Sequence, residues 1–309
     1  MGKIKTLFRM LKKDRKNIRK AVFSNWSKTP FAKWYSDEKY IKRQYRAFVG
    51  KKLNLKNPRS FNEKLQWLKL YNRKPEYTTM VDKFAVKEYI AQKIGEEYII
   101  PTLGVYDKFG DIEFDKLPNQ FVLKCTHDSG SVVVCSDKST FDYNLAKSKL
   151  EKALKRNMFW HGREWPYKNV KPRIIAEKYI ADEAGELNDY KLMCFNGKVK
   201  CSFVCSERFT GKGLHVTFFD KEWNVMPFER YFPSVKEGMD RPKNYDKMIE
   251  LAESLSKDIP FVRVDFYETE NKLYFGELTF FPGNGVEVFS PEEWDYKLGE
   301  WIELPKNGG

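Results

Sequence analysis

The strongest constraint on how this chain folds lies in the stretch FVRVDFYETENKLYFGELTFFPGNG, residues 261–285. Two apolar runs, 261–267 and 273–279, flank the polar tetrapeptide TENK, a pattern that predicts a β-hairpin. With the turn centred on Asn271, Asp265 lies opposite Glu277 and Arg263 opposite Thr279. Side chains alternate along a strand, so these four share one face. Two carboxylates about 5 Å apart repel one another unless a proton or a cation lies between them. Mg²⁺ suits such a pair, because it takes one or two carboxylates and completes its octahedron with water and phosphate oxygens. The spacing alone is equally compatible with a solvent-facing acid pair neutralised by Arg263.

Around the hairpin the elements alternate. Ser60, with Glu63 three residues on, forms a capping box that opens a helix carrying Leu65, Leu68 and Leu70. A second helix is predicted from Thr78 to Ile94, ended by Gly95. Strands are expected near 121–125, 131–135, 174–179, 191–195 and 198–205, with helices from about Leu145 to Arg156 and Tyr245 to Ser256. Mixed sheets with intervening helices predict an α+β fold.

Composition narrows the class. Of 309 residues, 41% are hydrophobic and 16% aromatic, enough for a chain of this length to bury a large core and to exclude a disordered or fibrous protein. Charge interrupts the first residues before any signal-peptide core, and no run of about 18 apolar residues occurs, so the chain is expected to be neither exported by that route nor membrane-spanning. The net charge of +13 would invite nucleic acid, yet residues 1–56 alone hold 18 Lys and Arg against three acidic residues. A nucleic-acid-binding domain would spread its charge over a face of the fold, so nucleic acid is not an expected partner. Ile4, Leu7, Phe8 and Leu11 share a helical face ringed by Lys and Arg. That pattern suits either a helix packed on the body or peripheral contact of residues 1–20 with an anionic inner-membrane face, on an otherwise cytoplasmic protein. The five cysteines (Cys125, Cys135, Cys194, Cys201, Cys205) contain no CxxC pair and read as buried thiols of a reducing compartment.

Two further stretches carry chemistry. Lys124 closes the apolar strand FVLKC ahead of Thr126, His127, Asp128, Ser129, Gly130 and Ser131. A small polar loop of this kind offers backbone N–H groups to phosphate, and the lysine adds a compact positive charge, although a tight hairpin turn would look the same. His127 would either touch phosphate there or take a structural hydrogen bond. Glu177 and Lys178 lie at the exit of one apolar strand, and Asp189 and Lys191 at the start of the next. Charged strand ends are usually solvated, so their interest comes from their neighbours. No GxxxxGK[ST], GxGxxG or GxSxG occurs, which removes the main support for P-loop, Rossmann and serine-hydrolase readings.

This constellation resembles the ATP-grasp fold. The hairpin is similar to the ending of D-alanyl-D-alanine ligase and glutathione synthetase-type enzymes, Asp on one strand and E-x-N-x-x-P-G on the next. Here the second strand reads Glu277-Leu278-Thr279-Phe280-Phe281-Pro282-Gly283, with Thr279 in place of the usual Asn. More specifically the chain resembles the TupA-like ATP-grasp family of bacterial polysaccharide gene clusters. The resemblance runs through SFNEKLQWLKLY (60–71), DKFAVKEYI (82–90), LPNQFVLKCTHDSGS (117–131), REWPYKNVKPRIIAEKYI (163–180), DYKLMCFNGK (189–198), VRVDFY and GELTFFPG. Asp128 stands where Gly is more usual.

The resemblance implies two α+β lobes gripping ATP, preceded by a helical N-terminal region. It divides the chain into a basic arm (1–57), an acceptor-side region (58–120), an ATP-grasp domain (121–290) and a C-terminal tail (291–309). It implies that Lys124 contacts phosphates, that the loop holding Thr126, His127, Ser129, Gly130 and Ser131 closes over the triphosphate, and that Glu177, Lys178, Tyr179 and Ile180 form the adenine hinge. Asp189 would face ribose or phosphate. Asp265, Glu277 and Thr279 would hold Mg²⁺, with Arg263, Arg208 and Lys191 as catalytic cations. The implied activity is an ATP- and Mg²⁺-dependent carboxylate–amine ligase of capsule, teichuronic acid or O-antigen biosynthesis. It would work through an acyl phosphate on amino-acid and uronic-acid or polysaccharide substrates. The alternatives are a glycosyltransferase of the same pathway, although the chain has no D-x-D, and an ATP-dependent sugar kinase on the same site.

Overall fold

Long-range pairing sorts the strands of the computed structural model, which describes residues 15, 17–180, 188–206, 214–235, 239–269 and 272–306, into three antiparallel sheets. β1 (Thr102–Tyr106), β2 (Phe121–Cys125), β3 (Val133–Cys135) and β4 (Ile174–Lys178) make a four-stranded sheet in the order β1-β4-β2-β3. β5 (Asn188–Phe195), β6 (Lys198–Ser206) and β7 (His215–Phe219) are followed by the short β8 (Glu229–Arg230). With β9 (Phe261–Thr269) and β10 (Lys272–Thr279), the first three build a five-stranded sheet ordered β10-β9-β5-β6-β7. β8 pairs with β11 (Phe289–Ser290).

Each of the two larger sheets has its own core, and this makes two lobes. On β2, Phe121, Leu123 and Cys125 pack with Ala146, Leu150 and Ala153 of the helix Tyr143–Leu154. Alternation then sends Lys124 to the opposite face. On β9, Val262, Val264 and Phe266 join Met248, Leu251, Ala252 and Leu255 of the helix Tyr245–Leu255 in the main core. Arg263, Asp265 and Tyr267 are thereby turned to the other side, towards the first lobe.

The helix Phe61–Tyr71 starts with the expected capping box: Ser60 Oγ accepts the Glu63 N–H at 3.2 Å and Glu63 Oε2 accepts the Ser60 N–H at 3.3 Å. The helix Glu293–Glu300 is fastened beside it, since Asp295 Oδ1 accepts the backbone N–H of Asn62 at 3.0 Å and its side-chain amide at 2.9 Å. The segment from Glu293 to Ile302 is therefore packed into the body, and β1 belongs to the same sheet as β2, across the boundary expected at residue 120.

The helix expected over Thr78–Ile94 is two helices, Glu76–Val81 and Val86–Ile94. Asp82 separates them: its ψ is 114°, its Oδ1 accepts the N–H groups of Phe84 and Ala85, and its Oδ2 pairs with Arg173 at 2.8 Å. An aspartate that bonds the backbone ahead of it competes with helix continuation. The strand expected at 131–135 shortens to Val133–Cys135.

Ile4, Leu7, Phe8 and Leu11 lie outside the described residues. From residue 17 the basic arm folds onto the body as a helix over 17–27, a turn at Pro30–Trp34 and the helix Asp37–Phe48. The Tyr40 hydroxyl donates to the His161 carbonyl at 3.0 Å, and Arg163, only 1% exposed, donates to the Ala32 carbonyl at 2.8 Å. Among the described residues no helix is long and apolar enough to cross a membrane.

Candidate active site

Between the lobes lies a cavity of about 740 Å³, within the usual range for small-molecule sites. The wall from the smaller lobe is cationic around one acid. Glu177 on β4 takes Lys124 at 2.8 Å and Lys87 at 2.6 Å, one on each carboxylate oxygen. Burial alone would raise this carboxyl, but the two ammonium groups more than offset it and hold Glu177 below its usual value. Lys83, in the turn before the helix Val86–Ile94, and Lys87, in its first turn, add positive charge with Lys178 around Ser129 and Gly130. Val86, Ile100, Val122, Tyr179 and Ile180 give this end an apolar surface.

The opposite wall is the polar face of the larger sheet. Arg263 Nε and Nη2 donate to the two oxygens of Asp265, each at 2.6 Å, and Nη2 also donates to Glu277 Oε1 at 2.9 Å. Lys191, opposite Asp265 in the β5–β9 register, bridges Asp265 Oδ2 and Asp189 Oδ2 at 2.5 Å each. Burial disfavours every charge here, yet the network holds Asp265 below its usual value and Arg263 above its own. Asp189 goes the other way: burial, with Asp265 nearby, raises it despite Lys191, and its Oδ1 is buried with no hydrogen-bond partner among the described residues.

The hairpin register departs from expectation by one residue near its turn. Arg263 faces Thr279 as predicted, but Phe275 faces Phe266, so Gly276 and Glu277 together oppose Asp265. This bulge re-aims Glu277 along the sheet. A Cβ on Gly276 would stand 3.1 Å from the Asp265 carbonyl oxygen and from the Tyr267 ring, so only glycine fits without displacement.

One cavity thus brings together Lys124, Ser129, Gly130, Glu177, Lys178, Tyr179, Ile180, Asp189, Lys191, Arg263, Asp265 and Glu277. Three loop residues do not line it. Thr126 is buried and donates to the Lys171 carbonyl at 3.3 Å. His127 Nε2 lies 3.2 and 3.1 Å from the carbonyls of Ala153 and Arg156, at the end of the helix Tyr143–Leu154. Ser131 donates to Asp128 and accepts the Cys125 N–H, which also explains why an acid is useful where glycine was expected. These three shape the loop from behind. Thr279 touches the site at one remove, donating to Glu277 Oε1 at 3.1 Å. Arg208 lies outside the described residues. Lys87 was missed, although its i,i+4 relation to Lys83 was a readable signal; Arg230 and Glu287, which also line the cavity, carried none.

Lys191 and Arg263 face three carboxylates, so the network holds one uncompensated negative charge, an open second oxygen on Glu277 and the unpartnered Oδ1 of Asp189. Hard oxygen donors of this kind fit Mg²⁺. No three of the described His, Cys, Asp and Glu side chains form a ready-made metal cage.

The profile of the TupA-like ATP-grasp family matches residues 63–303. The chain belongs to that family. Its two sheet lobes around a central cavity, with helices ahead of them, are the ATP-grasp fold. Among solved structures it is similar to D-alanine–D-alanine ligase from Bacillus anthracis in complex with ATP, at 18% identity over 72% of this chain and 65% of that one, with a TM-score of 0.43. Biotin carboxylase from Campylobacter jejuni matches at 16% identity over 74% of this chain and 47% of that one, with a TM-score of 0.42. The ATP-grasp ligase PsnB with a minimal precursor matches at 9% over 71% and 58%, with a TM-score of 0.38. This TupA-like chain therefore spans less than two thirds of the length of each. No curated protein matches it significantly.

The paired lysines give a pH signature. A carboxyl whose folded value is depressed contributes stability above its unfolded value, about 4.3 for Glu, and that contribution is lost as pH falls through the folded value. Glu177→Gln should cost about 2 kcal/mol at pH 7 by taking the carboxylate from two half-buried lysines, and the gap to wild type should shrink in urea titrations below about pH 4. An equal gap at both pH values contradicts the pairing.

Proposed function

We propose that this protein is an ATP-dependent carboxylate–amine ligase of cell-surface polysaccharide biosynthesis. The observation that carries the reading is the opposition, across one cavity, of the Lys124–Glu177–Lys87 wall and the Lys191–Asp265–Arg263–Glu277 face. Adenine suits the apolar end at Tyr179 and Ile180, and the phosphates suit Lys124 and the Gly130 loop. Asp265 and Glu277 are the residues suited to hold Mg²⁺, which when bound supplies charge neutralisation to the triphosphate.

The chemistry then needs no side-chain nucleophile. A substrate carboxylate oxygen attacks the γ-phosphorus, the bond to the bridging oxygen breaks, and ADP departs with the electron pair. An amine nitrogen next attacks the acyl carbon of the resulting acyl phosphate, the carbon–oxygen bond to phosphate breaks, phosphate leaves, and the nitrogen gives up its proton to water. Lys191 and Arg263, fixed by Asp265, contribute preorganised positive charge beside the transferred group, and their fixed geometry costs no reorganisation during reaction.

The basic arm supplies a location. We read residues 1–20, with nine Lys and Arg, as a peripheral contact with the anionic cytoplasmic face of a membrane. At the end of this segment and just past it, Ile18 and Val22, one helical turn apart, are 61% and 62% exposed. Lys20 donates to the Tyr231 hydroxyl at 2.7 Å, and Tyr231 sits between the cavity residues Arg230 and Phe232, so this face adjoins the cavity.

Asp265→Asn and Glu277→Gln should each lower Mg²⁺-dependent ATP turnover by about 10³-fold or more. Glu277→Gln, at a partly exposed side chain, should leave the thermal transition near that of wild type, whereas Asp265→Asn should also lower it, because Arg263 and Lys191 lose their shared carboxylate. Wild-type turnover in both would contradict the site. Product analysis with uronic-acid and amino-acid pairs separates the chemistries: a ligase releases ADP, phosphate and an amide, a kinase releases ADP and a phosphorylated sugar, and a glycosyltransferase ignores ATP. Deleting residues 1–20 should abolish salt-sensitive binding to vesicles containing about one third phosphatidylglycerol; unchanged binding contradicts the membrane contact.

A further inference from the structure

Two charged residues of the cavity have no part in the nucleotide reading. Arg230 ends β8 and is 7% exposed, its guanidinium 4.3 Å from the centre of the Phe203 ring and 5.3 Å from that of Phe218. Arg263 lies over the same Phe203 ring at 5.8 Å. One aromatic ring thus joins the two guanidinium groups, and Arg230 sits just beyond the Arg263–Glu277 end of the site. The two arginines differ in how they are used. Arg263 spends its donors on three hydrogen bonds to carboxylates. Arg230 has buried Nε and Nη1 groups with no hydrogen-bond partner among the described residues.

Glu287 is the acid that faces it. Its Oε2 lies 3.2 Å from Arg230 Nη1, close enough for an ion pair but out of hydrogen-bond alignment, and its side chain remains 21% exposed to the cavity. The chain makes room for this carboxylate at Gly283, where φ is +53° and a Cβ would stand 2.0 Å from Glu287 Cδ. Gly283 belongs to the Pro282–Gly285 turn that follows the strand of Glu277. The remaining wall here is apolar: Phe203, Val216 and Phe232.

A buried guanidinium whose Nε and Nη1 make no aligned hydrogen bond among the described residues, beside a carboxylate that holds it loosely, is an incomplete arrangement that costs stability unless a ligand completes it. A guanidinium matches a carboxylate through charge-assisted hydrogen bonds, and the neighbouring acid matches an ammonium group. We infer that the Arg230–Glu287 pair is a second-substrate subsite that takes an α-amino acid by both of its charges, the carboxylate on Arg230 and the ammonium group on Glu287. The inference rests on the ligase reading and names the chemical class of its amine partner. It also gives an orientation. The carboxylate neutralised by Arg230 is not the one activated, and the apolar wall is left for the side chain. Arg230 and Glu287 are binding residues for the amino acid, separate from the groups that hold phosphate.

The test is direct binding of the free L-amino acids, one at a time, to the full chain by calorimetry without ATP, each binder repeated as its methyl ester and as its N-acetyl derivative. At least one amino acid should bind, and each derivative should weaken it by about tenfold or more, since each removes one of the two charges. Arg230→Gln should reproduce the loss seen with the ester and Glu287→Gln the loss seen with the acetyl group. Binding of a non-hydrolysable ATP analogue with Mg²⁺ should stay within about twofold of wild type in both. Arg230→Lys, which keeps the charge and loses the planar guanidinium, should fall between wild type and Arg230→Gln. The proposal is overturned if no amino acid binds at millimolar concentration, if the esters and acetyl derivatives bind as well as the parents, or if Arg230→Gln binds normally. Because the derivative series uses wild-type protein, misfolding of a variant does not rescue it. Absence of ATP-analogue binding in wild type would instead count against the ligase reading.

Discussion

Arg263 and Asp265 stand two residues apart on one face of β9 and meet through two hydrogen bonds of 2.6 Å. β9 lies between β10 and β5, so the pair reaches Glu277 on one side and Lys191 on the other. Asp189, Asp265 and Glu277 would repel one another in a buried setting without these cations. With them, the face of the sheet becomes a rigid array of charge that needs no solvent to stay in place. Buried ion networks of this kind seldom add net stability over an apolar equivalent. Their presence on the cavity face, with one oxygen of Asp189 left without a partner among the described residues, is therefore better explained by what they hold than by what they stabilise.

The rest of the architecture keeps that face opposite the lysines. Each lobe has a separate core, so the cavity is the space that neither core fills. Lys69, fully buried on the helix Phe61–Tyr71, donates to the carbonyls of Gly162 and Asn284 at 3.0 and 2.7 Å and so pins the turn after β10 from behind. Burial pushes its ammonium group down to about 8, a sign of how dry that support is. The same turn carries Gly283, against which Glu287 packs. The turn that follows Glu277 and makes room for Glu287 is thus held from behind by one buried lysine.

Much of this was legible in the residues. The hairpin, the capping box at Ser60, the strand ending in Lys124 and the shared face of Arg263 and Asp265 all follow from periodicities of two and 3.6 that need no distant partner. What escaped depended on contacts across the chain. The bulge at Gly276 and Glu277 brings two residues opposite Asp265 on a neighbouring strand, Asp82, which breaks the helix locally, is held there by Arg173, and the burial of His127 comes from a helix end some 26 residues away. Arg230 was invisible because only the pairing of a two-residue strand with Phe289 and Ser290 brings it to the cavity. Local pattern identified the groups that carry charge, and long-range pairing decided which of them meet.

The central claim is that the two walls of the cavity together bind a metal-complexed triphosphate. Calorimetric titration with a non-hydrolysable ATP analogue, with and without Mg²⁺, on wild type and Lys124→Met tests it most directly. Saturable binding that requires Mg²⁺ and weakens by about tenfold or more in Lys124→Met is the predicted result. No binding in wild type, or binding indifferent to both the ion and the lysine, would contradict it.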